Sequence, residues 1–232
     1  MHVHPPKPLH GWRELFGEIG VIVIGVCIAL AAEQTLDWLH WRKEMAETRE
    51  ALKTELARAV GAYQFNLAQQ TCANARLDEL TQWLDASKVG EAPPLTRPIG
   101  NPGSYSLLEG AWDTAKTGQA AWRMPIEERL RFAHLYGSLE VADGVMKRGS
   151  EAWRSLNDFT GSEPLDHQDR VRMRGLIAQA RAVFPVLSSD GDFINPDIAP
   201  LGITPEKRPA LDTGSRRAFC QPLFAAPPVG KG

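Results

Sequence analysis

The stretch IGVIVIGVCIALAA, residues 19–32, carries no charged side chain and decides the fold class. Its 14 residues are short for a membrane helix, which needs about 20 apolar residues. More apolar residues continue the run beyond the acids that flank it: Leu15, Phe16 and Gly17 before Glu18, and Leu36 and Leu39 after Glu33. We therefore expect a transmembrane anchor helix over residues 15–39, with the lipid bilayer as its surroundings.

Tryptophans bracket this segment, Trp12 before it and Trp38 and Trp41 after it. Tryptophan concentrates at membrane interfaces because its ring is apolar while its N–H needs a polar partner. From Trp12 to Trp38 a helix spans roughly 39 Å, close to the ~40–45 Å of a bilayer with its headgroups. The three tryptophans are therefore predicted to be interface aromatics.

Two other interpretations of the apolar segment remain open. The apolar core has the length of a signal peptide, and Ala29-Leu30-Ala31 fits an A-x-A cleavage pattern. Against a signal peptide, Glu14 and Glu18 put acids where that region should be basic. The segment could instead be the core helix of a soluble protein, although its tryptophan flanks favour the anchor.

Gly25 and Ala29 form a small-xxx-small pair on one face of the expected anchor, and such pairs let two membrane helices approach closely. Glu18 adds an acid at the membrane edge, and acids there usually face a partner. We predict that Glu18, Gly25 and Ala29 form a contact with a membrane-protein partner or a second copy of the chain. The alternative is that the small residues have no special role.

The remainder of the chain is predicted to be mainly α, with a soluble helical bundle over residues 40–187. Leu52, Leu56 and Val60 begin an apolar stripe with helical spacing, which either packs inside the bundle or forms a coiled coil with another chain. A bend is expected near Gly61. Further helices are expected over residues 107–117, from Pro125 onward, and over residues 166–187.

Short and extended segments complete the expected domain organisation. Residues 1–14 form a short N-terminal tail, and residues 188–232 form an extended proline-rich tail that still contains large apolar residues. We expect part of that tail to lie against the bundle or a partner. Cys72 and Cys220 would fasten it there if they form a disulfide, but spacing leaves bonded and free thiols equally open.

No catalytic motif, nucleotide-binding loop or metal-ligand spacing occurs, so we expect no enzyme activity and no cofactor or metal. The formal net charge of -2 and interspersed charges argue against nucleic acid. Trp112, Asp113 and Lys116 are possible contact residues. Asp113 and Lys116 are predicted to pair at i,i+3 spacing, while Trp112 suits either a core anchor or a binding surface.

Two blocks of the sequence carry a resemblance to a known family. The run Glu18-Ile19, Ile22, Ile24-Gly25-Val26, Ile28-Ala29-Leu30 has the pattern E-I-x-x-I-x-x-G-x-x-I-A-L. The block Trp112-Asp113-Thr114-Ala115-Lys116-Thr117-Gly118 is similar to a W-[DE]-x-x-K-x-[ST]-G type segment, although here Thr117-Gly118 follows Lys116 directly. Together they resemble an uncharacterised family of bacterial single-span inner-membrane proteins.

The resemblance implies an inner-membrane anchor with the helical domain on the periplasmic side, and it carries no activity. Orientation does not follow from the residues, because basic side chains flank both ends of the anchor. We expect a non-enzymatic accessory or scaffolding subunit of a membrane assembly. The alternative is a membrane-anchored sensor or small-ligand-binding helical domain.

Overall fold

The computed structural model describes residues 11–86, 95, 97–103, 106–118, 120–161, 164–208 and 218–224. These residues form helices and connecting segments without any strand, which confirms the mainly α fold class. The helices are α1 (Trp12–Ala68), α2 (Gln70–Ala86), α3 (Ala111–Thr117), α4 (Ala120–Arg123), α5 (Ile126–Asn157), α6 (His167–Arg181) and α7 (Val183–Ile198).

The chain divides into two units within α1. The N-terminal unit is Met1–Thr48 and the bundle unit is Arg49–Gly232. In the N-terminal unit the described side chains between Val21 and His40 are all exposed, including the apolar ones. One described helix, α1, is long and apolar enough to cross a membrane by length and composition.

Long helices of the bundle unit run side by side. The part of α1 after Arg49 runs parallel to α5, because Arg49 pairs with Glu128 near the start of α5 and Asn66 contacts Met146 further along it. α6 runs antiparallel to α2, and α7 antiparallel to α5. Buried leucines and aromatics line the contacts between these helices, among them Leu52, Leu56, Leu80, Phe132, Leu139 and Trp153.

Residues 97–103 and 106–112, here called the strap, lie between α2 and α5 in the sequence. Gly100 exchanges hydrogen bonds with Asn157 at the end of α5. Leu107 then reaches Asp143, and Trp112 reaches Tyr136. The strap therefore runs antiparallel to α5, which explains how α1 and α5 come to be parallel.

Several element boundaries differ from the expectation. The helix expected over residues 107–117 begins only at Ala111, because the preceding N–H groups bond to side chains of other helices. Helix α1 begins at Trp12, within the expected N-terminal tail 1–14, and residues 1–10 of that tail lie outside the described residues. The long helix breaks at Gln69, whereas Gly61 lies within α1.

The expected end of the last helix at Leu187 is wrong. The break falls earlier, at Ala182, and α7 then continues through Ser188 to Ile198. Pro185 lies in the first turn of α7, where a missing N–H costs nothing because those groups have no helical partner. The last helix of the bundle therefore ends at Ile198, and residues 209–217 and 225–232 of the expected extended tail lie outside the described residues.

Beyond α7, the described tail residues 199–208 and 218–224 lie against the bundle, as expected. Their apolar side chains are buried: Leu201, Ile203, Phe219 and Leu223. The first segment is fixed by the hydrogen bond from Glu206 N to Ala57 O, 2.8 Å. Gly61 allows this approach, because a Cβ there would collide with the backbone of Glu206.

Candidate functional site

The predicted membrane-helix contact residues all lie on the apolar part of α1. Glu18, Gly25 and Ala29 follow one another at steps of seven and four residues, which puts them on one face of the helix. All three are exposed, and nothing lies within 4 Å of a Cβ added at Gly25. The face is therefore open to receive another helix.

The predicted interface aromatics lie toward the two ends of this segment. Trp12 stands 77 % exposed and Trp38 57 % exposed. The guanidinium of Arg42 lies 5.3 Å from the ring centre of Trp38. Trp41 is half-buried beside His40, with ring centres 5.8 Å apart. Ring and cation together suit the boundary between apolar chains and charged headgroups.

A second candidate site surrounds the W-D-x-x-K block, and Glu55 on α1 holds it in place. This carboxylate is 3 % exposed and accepts three backbone N–H groups of the strap. The distances to Oε1 are 3.0 Å from Glu109 N and 3.3 Å from Gly110 N, and Oε2 lies 2.7 Å from Ala111 N. These are N–H groups at the start of α3, which the helix itself leaves unpaired.

Asp143 on α5 supplies the next attachment of the strap. Its Oδ1 accepts from Leu107 N at 3.1 Å, and its Oδ2 lies 2.6 Å from the ammonium of Lys147. The hydrogen bond that Lys147 donates to Asp143, and then the negative charge of Asp143, raise the pKa of Lys147. Both buried acids are thus used to position the backbone that precedes Trp112.

Trp112 is half-buried and packs as a core anchor on its inner side. Its ring stacks on Tyr136 with centres 5.5 Å apart and 14° between planes, and it also stacks on Phe132 at 6.4 Å. Asp113 and Lys116 are exposed and form the predicted pair, with Nζ 2.7 Å from Oδ1. The structure therefore brings the three residues together at the surface.

Around these residues lies an open recess of about 500 Å³, lined by Glu55, Trp112, Asp113, Lys116, Tyr136, Glu140, Asp143 and Lys147 among others. Burial, and then the charge of Glu55, raise the pKa of Tyr136, so its phenol stays protonated at neutral pH. The recess offers carboxylates, ammonium groups and an aromatic wall. Such a surface suits recognition of a polar or zwitterionic group.

Cys72 and Cys220 form a disulfide that joins α2 to the tail, with Cα atoms 4.8 Å apart. Beside it Arg76, 4 % exposed, donates to the carbonyl oxygens of Ile99, Phe219 and Gln221. Burial lowers the pKa of Arg76. The Phe219 ring meets Trp153 edge-on at 5.4 Å.

Sequence reasoning missed the buried charges that organise the bundle, although a signal for them exists. Glu55 lies three residues after Leu52, Arg76 three after Ala73, and Asp143 four after Leu139, which places each charge on an apolar helix face. A charge on such a face must be paired when it is buried. Their partners, however, are backbone groups of distant segments that no local pattern identifies.

No protein-family model matches the chain, and no curated protein or solved structure matches it.

Proposed function

We propose that this chain is a non-enzymatic, single-span membrane protein that serves as an accessory or scaffolding subunit of a larger membrane assembly. The observation that carries the proposal is the apolar segment of α1, whose most apolar 18-residue window has none of its residues buried. Exposed apolar surface of that extent is unfavourable in water and is matched by a bilayer.

The disulfide supports placing the bundle outside the cytoplasm. Disulfides persist in oxidising compartments, and the cytoplasm keeps such thiols reduced. Cys72 and Cys220 belong to the bundle unit. A bundle on the periplasmic side of a bacterial inner membrane has the redox environment that this bond needs.

Close packing of the bundle supports a contact role over a ligand-carrying one. Between the long helices, at Asn66, Met146 and Phe184, the free space is about 30 Å³. That is room for about one water molecule. Among the described residues, three open recesses of about 450 to 560 Å³ lie on the bundle unit, where another protein can reach them.

The test is purification of the full chain in mild detergent, with mass spectrometry of the proteins that comigrate. A matched pair of variants asks whether the Glu18 face is used. Gly25→Leu adds bulk on that face, and Gly20→Leu adds the same bulk about 140° around the helix. Neither glycine has an atom within 4 Å of an added Cβ, so both variants leave the fold intact.

We expect stoichiometric comigration with membrane subunits, reduced severalfold by Gly25→Leu and unaffected by Gly20→Leu. A chain that elutes alone contradicts the accessory role. A partner that comigrates equally with both variants contradicts the proposed contact face. It leaves the accessory role in place.

The recess at Trp112 favours a second candidate function, a membrane-anchored sensor of a small polar ligand. Its volume of about 500 Å³ lies in the range of small-molecule sites. Screening polar and zwitterionic compounds by thermal shift of the full chain tests this function. A shift that Lys116→Ala removes supports it, and the absence of any shift across the screen contradicts it.

A further inference from the structure

Three large apolar side chains stand exposed at one end of the bundle unit, and here they are called the Trp122 patch. They are Trp122 on α4, 70 % exposed, with Ile126 and Leu130 on α5, 56 % and 59 % exposed. Ile126 and Leu130 are four residues apart and therefore share a helix face. The patch lies outside the contacts that hold the bundle together.

The patch lies at the end of the bundle unit where the chain enters it. Arg49, the first residue of the unit, makes two hydrogen bonds to Glu128, 2.7 Å and 2.8 Å, in the first turn of α5. The expected interface aromatic Trp41 is eight residues before Arg49. Eight residues reach at most ~28 Å, so the polypeptide passes from the expected interface aromatic into this end of the bundle unit over a short length of chain.

Charge around the patch suits lipid headgroups. The guanidinium of Arg129 lies 4.8 Å from the ring centre of Trp122, and Arg123 is its sequence neighbour. Glu127 is an exposed acid in the same turn, while Glu128 pairs with Arg49. An exposed tryptophan, isoleucine and leucine together with arginine is the composition of surfaces that insert shallowly into headgroups.

We propose that the Trp122 patch is a second, interfacial contact of the protein with the bilayer, through the headgroup region of phospholipids that include anionic ones. The proposal rests on the proposed membrane span of α1. It leaves the remaining surface of the bundle unit for partners.

The test places a fluorophore at Leu130→Cys or, as matched control, at Val171→Cys, both in a Cys27→Ala background. Val171 is similarly exposed, at 55 %, and lies on α6 beside the Arg170 contact with Leu84, at the opposite end of the bundle. The full chain is reconstituted into phosphatidylcholine vesicles containing phosphatidylglycerol. Quenching by headgroup spin-labelled lipid and by aqueous iodide is measured for each label.

We expect lipid quenching at position 130 to exceed that at position 171 by roughly twofold or more, with iodide quenching reduced at position 130. Equal lipid quenching at both positions would disprove the proposed contact between the patch and the bilayer. Shielding of position 130 from both quenchers shows a protein contact and overturns it as well.

Flotation of the vesicles after a urea wash separates the two proposals. A chain that does not float with the vesicles disproves the span and the patch together. A chain that floats but shows equal quenching disproves the patch and leaves the span standing.

Discussion

At the residue scale, the fold depends on a few buried charges that bond to backbone groups of distant segments. Glu55 accepts three N–H groups, and Arg76 donates to three carbonyl oxygens. Each ties an irregular segment to a helix. Because a buried charge without partners is costly, each also makes the wrong placement of its segment unfavourable.

Replacing Glu55 by Gln leaves the volume unchanged but turns one acceptor oxygen into a donor. The amide N–H₂ then faces an N–H group of the strap, so one of the two is left unpaired. We expect the free energy of unfolding to fall by about 1–3 kcal/mol, measured by urea unfolding in detergent. Glu50→Gln, exposed on the same helix, is the control, and equal stability of the two variants would contradict the role of Glu55.

A substitution at Gly61 tests the close approach of the tail to α1. Gly61→Ala places a Cβ against the backbone of Glu206, which cannot rotate away, so we expect a loss of about 1–3 kcal/mol. Gly137→Ala, in helix α5 with nothing within 4 Å, should instead stabilise by about 0.5–1 kcal/mol. Thermal unfolding of both variants measures the difference. A stabilising Gly61→Ala would disprove the contact.

The carboxyl group of Asp190 is expected to make the stability of the bundle depend on pH. Burial raises its pKa above the ordinary value of 3.8, and its Oδ2 has no hydrogen-bond partner in the described structure. The folded state therefore binds the proton more tightly than the unfolded state. Stability falls as pH rises from 3.8 through the raised pKa, and stays at the lower level above it.

Asp190→Asn removes this penalty, so we expect it to stabilise the bundle at pH 7. The gain should vanish below pH 3.8, where the wild-type carboxyl is protonated in both states. Urea unfolding at the two pH values measures it, with exposed Asp192→Asn as control. A gain that is the same at both pH values would show that charge is not its cause.

At the element scale, periodicity predicts the long helices, and turn residues predict their starts at Pro125 and Asp166. Asp166 accepts from Asp169 N at 2.8 Å, as a helix cap should. Periodicity predicts the wrong helix start where backbone N–H groups bond to side chains of other helices. Residues 107–109 have helical residue types, but Leu107 N bonds to Asp143 and Glu109 N bonds to Glu55 instead.

The predicted end of the last helix is wrong for a different reason. The sequence Ser188-Ser189-Asp190-Gly191-Asp192 has the composition of a turn, yet it is helical. Gly191 is buried with Tyr63 Oη close to where its Cβ would be. Packing of α7 against α1 and α5 therefore overrides the local preference, and no local pattern contains that information.

At the element scale, we predict that the disulfide between α2 and the tail stabilises the bundle. Cys72→Ser with Cys220→Ser releases residues 218–224 from α2, so we expect a loss of about 2–5 kcal/mol. A reducing agent should lower the wild-type melting temperature to that of the double variant and leave the variant unchanged. Cys27→Ser is the control, since Cys27 is free and exposed. Equal melting temperatures with and without the reducing agent would contradict a stabilising bond.

At the scale of the whole molecule, the chain is two units whose surfaces differ in polarity. The N-terminal unit exposes its apolar side chains, whereas the bundle unit has its own buried core. The stability of the bundle therefore comes from its own contacts, while the apolar segment of α1 depends on what surrounds it.

This division predicts incomplete loss of helix on denaturation. In detergent the apolar segment keeps its backbone hydrogen bonds, because the micelle core offers no water to replace them. We expect urea to unfold the bundle in one transition that leaves measurable far-UV helical ellipticity. A single transition to a fully coiled spectrum would show that the segment is not held by the micelle.

The covalent bond between α2 and the tail also sets an order of events during synthesis. Cys220 lies 148 residues after Cys72, and helices α2 to α7 all lie before it. The ribosome must therefore make every helix of the bundle before the bond can close. A chain halted before Cys220 keeps a reactive thiol at Cys72, so the bond distinguishes finished molecules from interrupted ones.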